Sequence, residues 1–210
     1  MWKVAYQLKR QSGPITGVAI NGDGSFAVTS CEDESISLYS LIGEEHHLCY
    51  LGCPVLTVDV ACLKDAIASG ASDGVVRVHS QTLDVVSELK MHRMAVQSVH
   101  WNKAGDLLAS GGHDGNCFIW GIKQGNVITE FPKLKGWVRG IDWNGDMIAV
   151  VGGDPLVRVI DPRTGKESHK LSVGGVEQTS VSFSRCGHII ASAGFDGRIR
   201  IWDLRTSALL

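Results

Sequence analysis

Long apolar runs are missing from this chain: none approaches the roughly 18–20 residues needed to span a bilayer as a helix. Charge of one sign is missing too. The formal net charge is −2 at pH 7 and the pI is near 6.4, so no electrostatic footprint points to nucleic acid or an anionic membrane surface. The opening residues, Met1-Trp-Lys-Val-Ala-Tyr6, are too polar and too alternating for a signal-peptide hydrophobic region. Six cysteines (31, 49, 53, 62, 117 and 186) follow no regular framework, and no Asn-x-Ser/Thr acceptor occurs. Both absences suit a reducing cytosolic or nuclear compartment. Prolines number five against 25 glycines, and helix-like apolar periods are few. That combination predicts an all-β chain with many turns, and 44% hydrophobic residues suffice for a substantial core.

What the chain does have is one sentence written five times. Its clearest copy is Ile190-Ala-Ser-Ala-Gly-Phe-Asp-Gly-Arg-Ile-Arg-Ile-Trp-Asp-Leu-Arg205, in which Asp196-Gly197 supplies a tight turn between two alternating strands. The turn aspartates are Asp33, Asp73, Asp114, Asp154 and Asp196, spaced 40, 41, 40 and 42 residues apart. After each comes alternation, as in Val76-Arg-Val-His79 and Cys117-Phe-Ile-Trp120. Some way before each comes another strand: Ile15–Ile20, Val55–Val60, Val96–Trp101, Val138–Trp143 and Gln178–Phe183. Segments such as Gln124–Phe131 complete four strands per unit.

A period of about 40 residues with four strands per unit predicts a β-propeller. Over essentially its whole length the chain resembles the WD40-repeat family, most strongly at Ser110-Gly-Gly-His-Asp-Gly115 with Ile119-Trp120 and at Ser192-Ala-Gly-Phe-Asp-Gly197 with Ile201-Trp-Asp203. We read residues 1–210 as one propeller domain, with repeats at roughly 11–50, 51–91, 92–132, 133–173 and 174–210 and an extra strand within 2–10. Five units are fewer than the seven usual in that family. The expectation is part of a longer propeller in preference to a complete five-bladed ring.

The resemblance implies a hydrogen-bonded tetrad of His, Ser or Thr, Asp and Trp in each unit. Only the third repeat carries all four, as His92, Ser110, Asp114 and Trp120. The fifth keeps Ser192, Asp196 and Trp202 but has Gly174 at the histidine position. Weaker sets are Thr29, Asp33 and Tyr39, then Ser69, Asp73 and His79, then Val150, Asp154 and Ile160. These gaps predict a looser fold in those units.

The same resemblance places the residue before each turn Asp on the face where partners usually dock. Glu32, Ser72, His113 and Phe195 hold that position, and Trp137 with Arg139 opens the fourth repeat nearby. Trp, Phe and Arg there suit a protein or peptide contact. Trp202-Asp-Leu-Arg205 also resembles the box by which WD-repeat substrate receptors dock on the adaptor of cullin-type ubiquitin ligases, with Arg205 as the carboxylate contact.

Enzymatic readings are weaker. Gly70-Ala-Ser-Asp-Gly74 matches a nucleophile elbow in letters, yet it falls in a strand–strand turn with no helix to follow. His46-His-Leu-Cys-Tyr-Leu-Gly-Cys53 alternates as a strand, which sends its potential metal ligands to opposite faces. The expectation is a non-enzymatic protein-interaction scaffold without cofactor or metal, cytoplasmic or nuclear, with protein partners. The ubiquitin-ligase receptor stands as the alternative and a propeller hydrolase as the remote one.

Overall fold

A computed structural model describes residues 11–42 and 46–210. The expected strand within residues 2–10 lies outside them. Among the described residues, twenty strands form five antiparallel four-stranded sheets, each an up-and-down meander in chain order. The first sheet joins β1 (Ile15–Ile20), β2 (Phe26–Cys31), β3 (Ser35–Ser40) and β4 (His46–Tyr50). The second joins β5 (Val55–Val60), β6 (Ile67–Ala71), β7 (Val75–His79) and β8 (Val85–Lys90). The third joins β9 (Val96–Trp101), β10 (Leu107–Gly112), β11 (Cys117–Gly121) and β12 (Asn126–Glu130). The fourth joins β13 (Val138–Asn144), β14 (Met147–Gly152), β15 (Leu156–Ile160) and β16 (Glu167–Ser172). The fifth joins β17 (Gln178–Phe183), β18 (Ile189–Gly194), β19 (Ile199–Asp203) and the short β20 (Ala208–Leu209). These are the blades of a propeller, and among the described residues the arc they form is not closed.

The core is divided among the junctions between consecutive blades. Four apolar clusters fill the four junctions, for example Val76, Val78 and Leu89 of the second blade against Val96, Val99 and Trp101 of the third. Among the described residues no such cluster joins the fifth blade to the first. Alternation explains the pattern. Each strand turns one set of side chains to the blade before it and the other set to the blade after it.

Every first strand carries a β-bulge at the same place, where the register against the second strand skips one residue: Thr16, Leu56, Gln97, Arg139 or Thr179. A bulge re-aims the extra side chain away from the ladder. In the third and fourth blades it carries Gln97 and Arg139 toward the end of the stack that holds the aspartate turns, the turn end.

The turn aspartates are held more firmly than the sequence suggests. In the third blade His92 Nδ1 lies 3.1 Å from Asp114 Oδ1 and its Nε2 lies 2.8 Å from Ser110 Oγ, which also accepts from Trp120 Nε1 at 2.8 Å. Burial lowers the His92 pKa despite Asp114. Asp114 itself lies low, because backbone N–H groups and His92 outweigh its burial. Elsewhere three substitutes fill the gaps in the tetrad. In the first blade Gln11 takes the histidine's place, accepting from Thr29 Oγ1 at 2.6 Å and donating to Ser35 Oγ at 2.9 Å. In the second, fourth and fifth blades an arginine four residues on clasps the Asp. Arg77 reaches Asp73 at 2.5 Å, Arg200 reaches Asp196 at 2.6 Å, and Arg158 bonds both Asp154 and Glu167. His79 stands in for the missing tryptophan, with Nε2 2.8 Å from Ser69 Oγ.

Three neighbouring blades are tied by charge toward the opposite end. His100 of β9 sits between Asp142 of β13, at 3.1 Å, and Asp59 of β5, at 3.6 Å. Asp59 also accepts from the Trp101 backbone at 2.8 Å, and Asp142 accepts from Phe183 at 2.5 Å. Burial opposes protonation of His100, but the two carboxylates outweigh it and hold its pKa at about 9. That value exceeds the ordinary 6.5. The stabilisation is therefore complete below pH 6.5 and lost as pH rises through about 9. Thermal melts at pH 6 and at roughly 9.5 should show a larger fall in Tm for the wild type than for His100→Gln. Equal falls would remove this bridge from the account.

Candidate docking face

Side chains from three blades form one column at the turn end. His113, on the turn between β10 and β11, stacks on Trp137 with ring centroids 4.0 Å apart and planes 9° apart. The Arg139 guanidinium lies 5.0 Å from the Trp137 ring and 4.9 Å from the Phe195 ring, so the cation is held between two aromatic residues. The order is His113, Trp137, Arg139, Phe195, reaching from the third blade to the fifth.

Local structure explains each placement. Arg139 is the residue skipped by the bulge in β13, so its side chain leaves the ladder and rises between its neighbours. Trp137 is fixed because its carbonyl accepts from Gly153 N at 2.9 Å. Phe195 N donates to Glu177 O at 3.1 Å, in the register that His113 N uses with Ala95 O at 2.8 Å. Two residues not foreseen from the sequence complete the site. Glu177 receives Arg139 at 3.3 Å, and Gln97, the bulge residue of β9, lies 3.0 Å from His113 Nε2. Burial and the Arg139 charge lower the His113 pKa, which leaves the ring neutral at pH 7 and suited to stacking. Phe195 and Trp137 remain exposed, and Phe195 turns toward Arg139, not His113.

The remaining residues singled out from the sequence lie elsewhere. Glu32 and Ser72 are exposed at the same turn position of the first two blades, outside the column. Ser72 sits between β6 and β7, and no helix follows it. Arg205 lies past the end of β19 remote from Phe195. Its guanidinium is clasped by Asp203 at 2.5 and 3.0 Å, although the side chain is 65% exposed. At that opposite end, Asp59, His100, Asn102, Lys103, Trp143 and Arg185 border a cavity of about 520 Å³.

Five four-stranded blades in this register fit the WD40 pattern, and comparison with known proteins agrees. The family described as "WD domain, G-beta repeat" matches residues 2–40 and 165–203, and the "Anaphase-promoting complex subunit 4 WD40 domain" matches residues 61–144. The chain belongs to the WD40-repeat family. Among curated WD40-repeat relatives, THO complex subunit 3 of Arabidopsis thaliana is 32% identical over 56% of this chain and 39% of its own length. The U3 small nucleolar RNA-associated protein 21 homolog of Schizosaccharomyces pombe is 27% identical over 76% of this chain and 18% of its own. Pre-mRNA-processing factor 19 of Mus musculus is 25% identical over 82% and 36% respectively. The chain thus spans less than half the length of these relatives.

Proposed function

We propose that this WD40-repeat chain is a non-enzymatic scaffold that docks protein partners on the turn end, through the column of His113, Trp137, Arg139 and Phe195. The observation that carries the reading is the column itself. Trp and Arg are the residue types most enriched at interface hot spots, and here they are stacked, held in place and exposed at one edge. Glu32 and Ser72 extend the same face across the first two blades. Relatives named for a THO complex, small nucleolar RNA and pre-mRNA processing support membership of a multi-subunit assembly in the nucleus.

The test is affinity purification from cells with mass spectrometry, in parallel on wild type, Arg139→Ala, Phe195→Ala and Arg205→Ala. Loss of a hot spot costs about 2 kcal/mol or more, roughly thirtyfold in Kd. The column variants should therefore lose partners that Arg205→Ala retains. If Arg139→Ala and Phe195→Ala recover every partner, the docking face lies elsewhere. The exposure of Arg205 favours the ubiquitin-ligase adaptor as a second reading, and its grip on Asp203 weighs against it. An adaptor lost only with Arg205→Ala would select that reading.

A further inference from the structure

The column is a cation seat that is already filled. Two aromatic rings facing one guanidinium form a place that could hold a partner's cation. Here Arg139 of the chain itself occupies it. What Arg139 lacks is acceptors. Its one side-chain hydrogen bond among the described residues runs from Nη2 to Glu177 Oε2 at 3.3 Å, and its buried Nε has no partner. A charge-assisted bond normally closes to about 2.7–2.9 Å. The clasps of Arg77 on Asp73 and Arg200 on Asp196 do close, at 2.5 and 2.6 Å. Glu177 is 47% exposed, so its hold on Arg139 is loose and open to exchange.

Three further cations border the column, around the third-blade turn that carries His113. Arg93 N donates to Asp114 Oδ2 at 3.0 Å, and Leu134 N donates to Gly115 O at 3.0 Å, which sets Arg93, Lys133 and Lys135 beside that turn. Lys133 Cε lies 3.4 Å from where a Cβ on Gly115 would be. All three residues are exposed, and none joins an ion pair among the described residues. Asp114 and Glu177 are already engaged by His92 and Arg139. A chain with a formal net charge of −2 thus gathers unpaired positive charge on one edge of its docking face. We propose that the protein segment docked on the column is acidic. One of its carboxylates takes the under-bonded Arg139 guanidinium, and its neighbours lie toward Arg93, Lys133 and Lys135. Trp137 and Phe195 supply the apolar contact beside it. The inference rests on the docking reading above and adds the sign of the partner's charge.

The test selects a displayed library of random short peptides on the wild-type chain and discards those that Phe195→Ala also captures. Asp and Glu should be enriched among the survivors. A survivor made with a fluorescent label is then titrated by anisotropy, with melting curves to check that each variant is folded. Binding should weaken about tenfold when Lys133→Glu and Lys135→Glu are combined, and tighten about threefold in Glu177→Gln. Both effects should shrink as NaCl is raised. Survivors rich in Lys and Arg, survivors without charge bias, or affinities indifferent to these variants would overturn the proposal and leave the column standing as a docking site. A selection that yields no survivors would remove the column itself. An oligouridine RNA bound more tightly than any survivor, and lost in Arg139→Ala, would give the face to nucleic acid instead.

Discussion

Gly152→Ala is expected to cost about 3 kcal/mol and to take the docking column with it. A Cβ on Gly152 would lie 1.9 Å from the Trp137 carbonyl oxygen and 2.9 Å from its carbon. Those atoms are backbone, so no rotamer change relieves the overlap. The β13–β14 ladder must open where Val138 pairs with Gly152. Overpacking usually costs about 1–3 kcal/mol, and a backbone collision belongs at the top of that range. For a chain of this length, about 3 kcal/mol lowers Tm by roughly 6–12 °C. The second consequence is specific to the site. Trp137 is the middle ring of the column, so moving its carbonyl moves the indole away from His113 and Arg139. Partner binding should fall in Gly152→Ala even at temperatures where the protein is folded. Gly140→Ala is the milder comparison, since its Cβ would come no closer than 3.2 Å to Val151 Cγ2 and 3.3 Å to Ser180 Cα. If both substitutions cost the same, the close approach at Gly152 is not what positions Trp137.

Trp120→Ala should be the most damaging change in the core, at about 3–5 kcal/mol. The indole is 2% exposed, packs edge-on to Phe118 and joins the cluster between the second and third blades. It also donates to Ser110 Oγ, so truncation removes one arm of the tetrad together with a large apolar volume. Trp120→Phe keeps most of the volume and separates the two losses. A hydrogen bond of this kind is worth about 1 kcal/mol net. Because each blade packs mainly on its neighbours, the third blade couples the two halves of the arc. Urea unfolding of Trp120→Ala should therefore become broader as well as earlier. A sharp transition at an unchanged midpoint would show that the third blade carries no such weight.

The blades were legible because their signal repeats. Five turn aspartates in phase and strands such as Val96–Trp101 appear in the fold at the positions their alternation predicts. Interactions that cross from blade to blade were not legible. His100, Asp59 and Asp142 occupy one strand position in three repeats about 40 residues apart, and nothing local marks them as partners. Gln11 was missed because it replaces a histidine only in part, its amide joining Thr29 to Ser35, while Asp33 is held by Ser12 and Ser35. The Asp–Arg clasps were hidden because Arg77 and Arg200 read as ordinary outward residues of an alternating strand. At the candidate site, repeat register together with the family resemblance picked out Glu32, Ser72, His113 and Phe195. That Arg139 enters the column depends on a bulge, which shifts a side chain by one place without altering the composition of the strand.

The bulge has an evolutionary consequence. Thr16, Leu56, Gln97, Arg139 and Thr179 are each excused from their ladder, and they already differ in charge, size and polarity. Thr16 and Thr179 spend their hydroxyls on the Val55 and Ala193 carbonyls, whereas substitution at Gln97 or Arg139 changes what one blade displays without altering the ladder that holds it together. On the proposed docking face, revising such a single letter would change what one blade offers a partner while the architecture stays under separate selection.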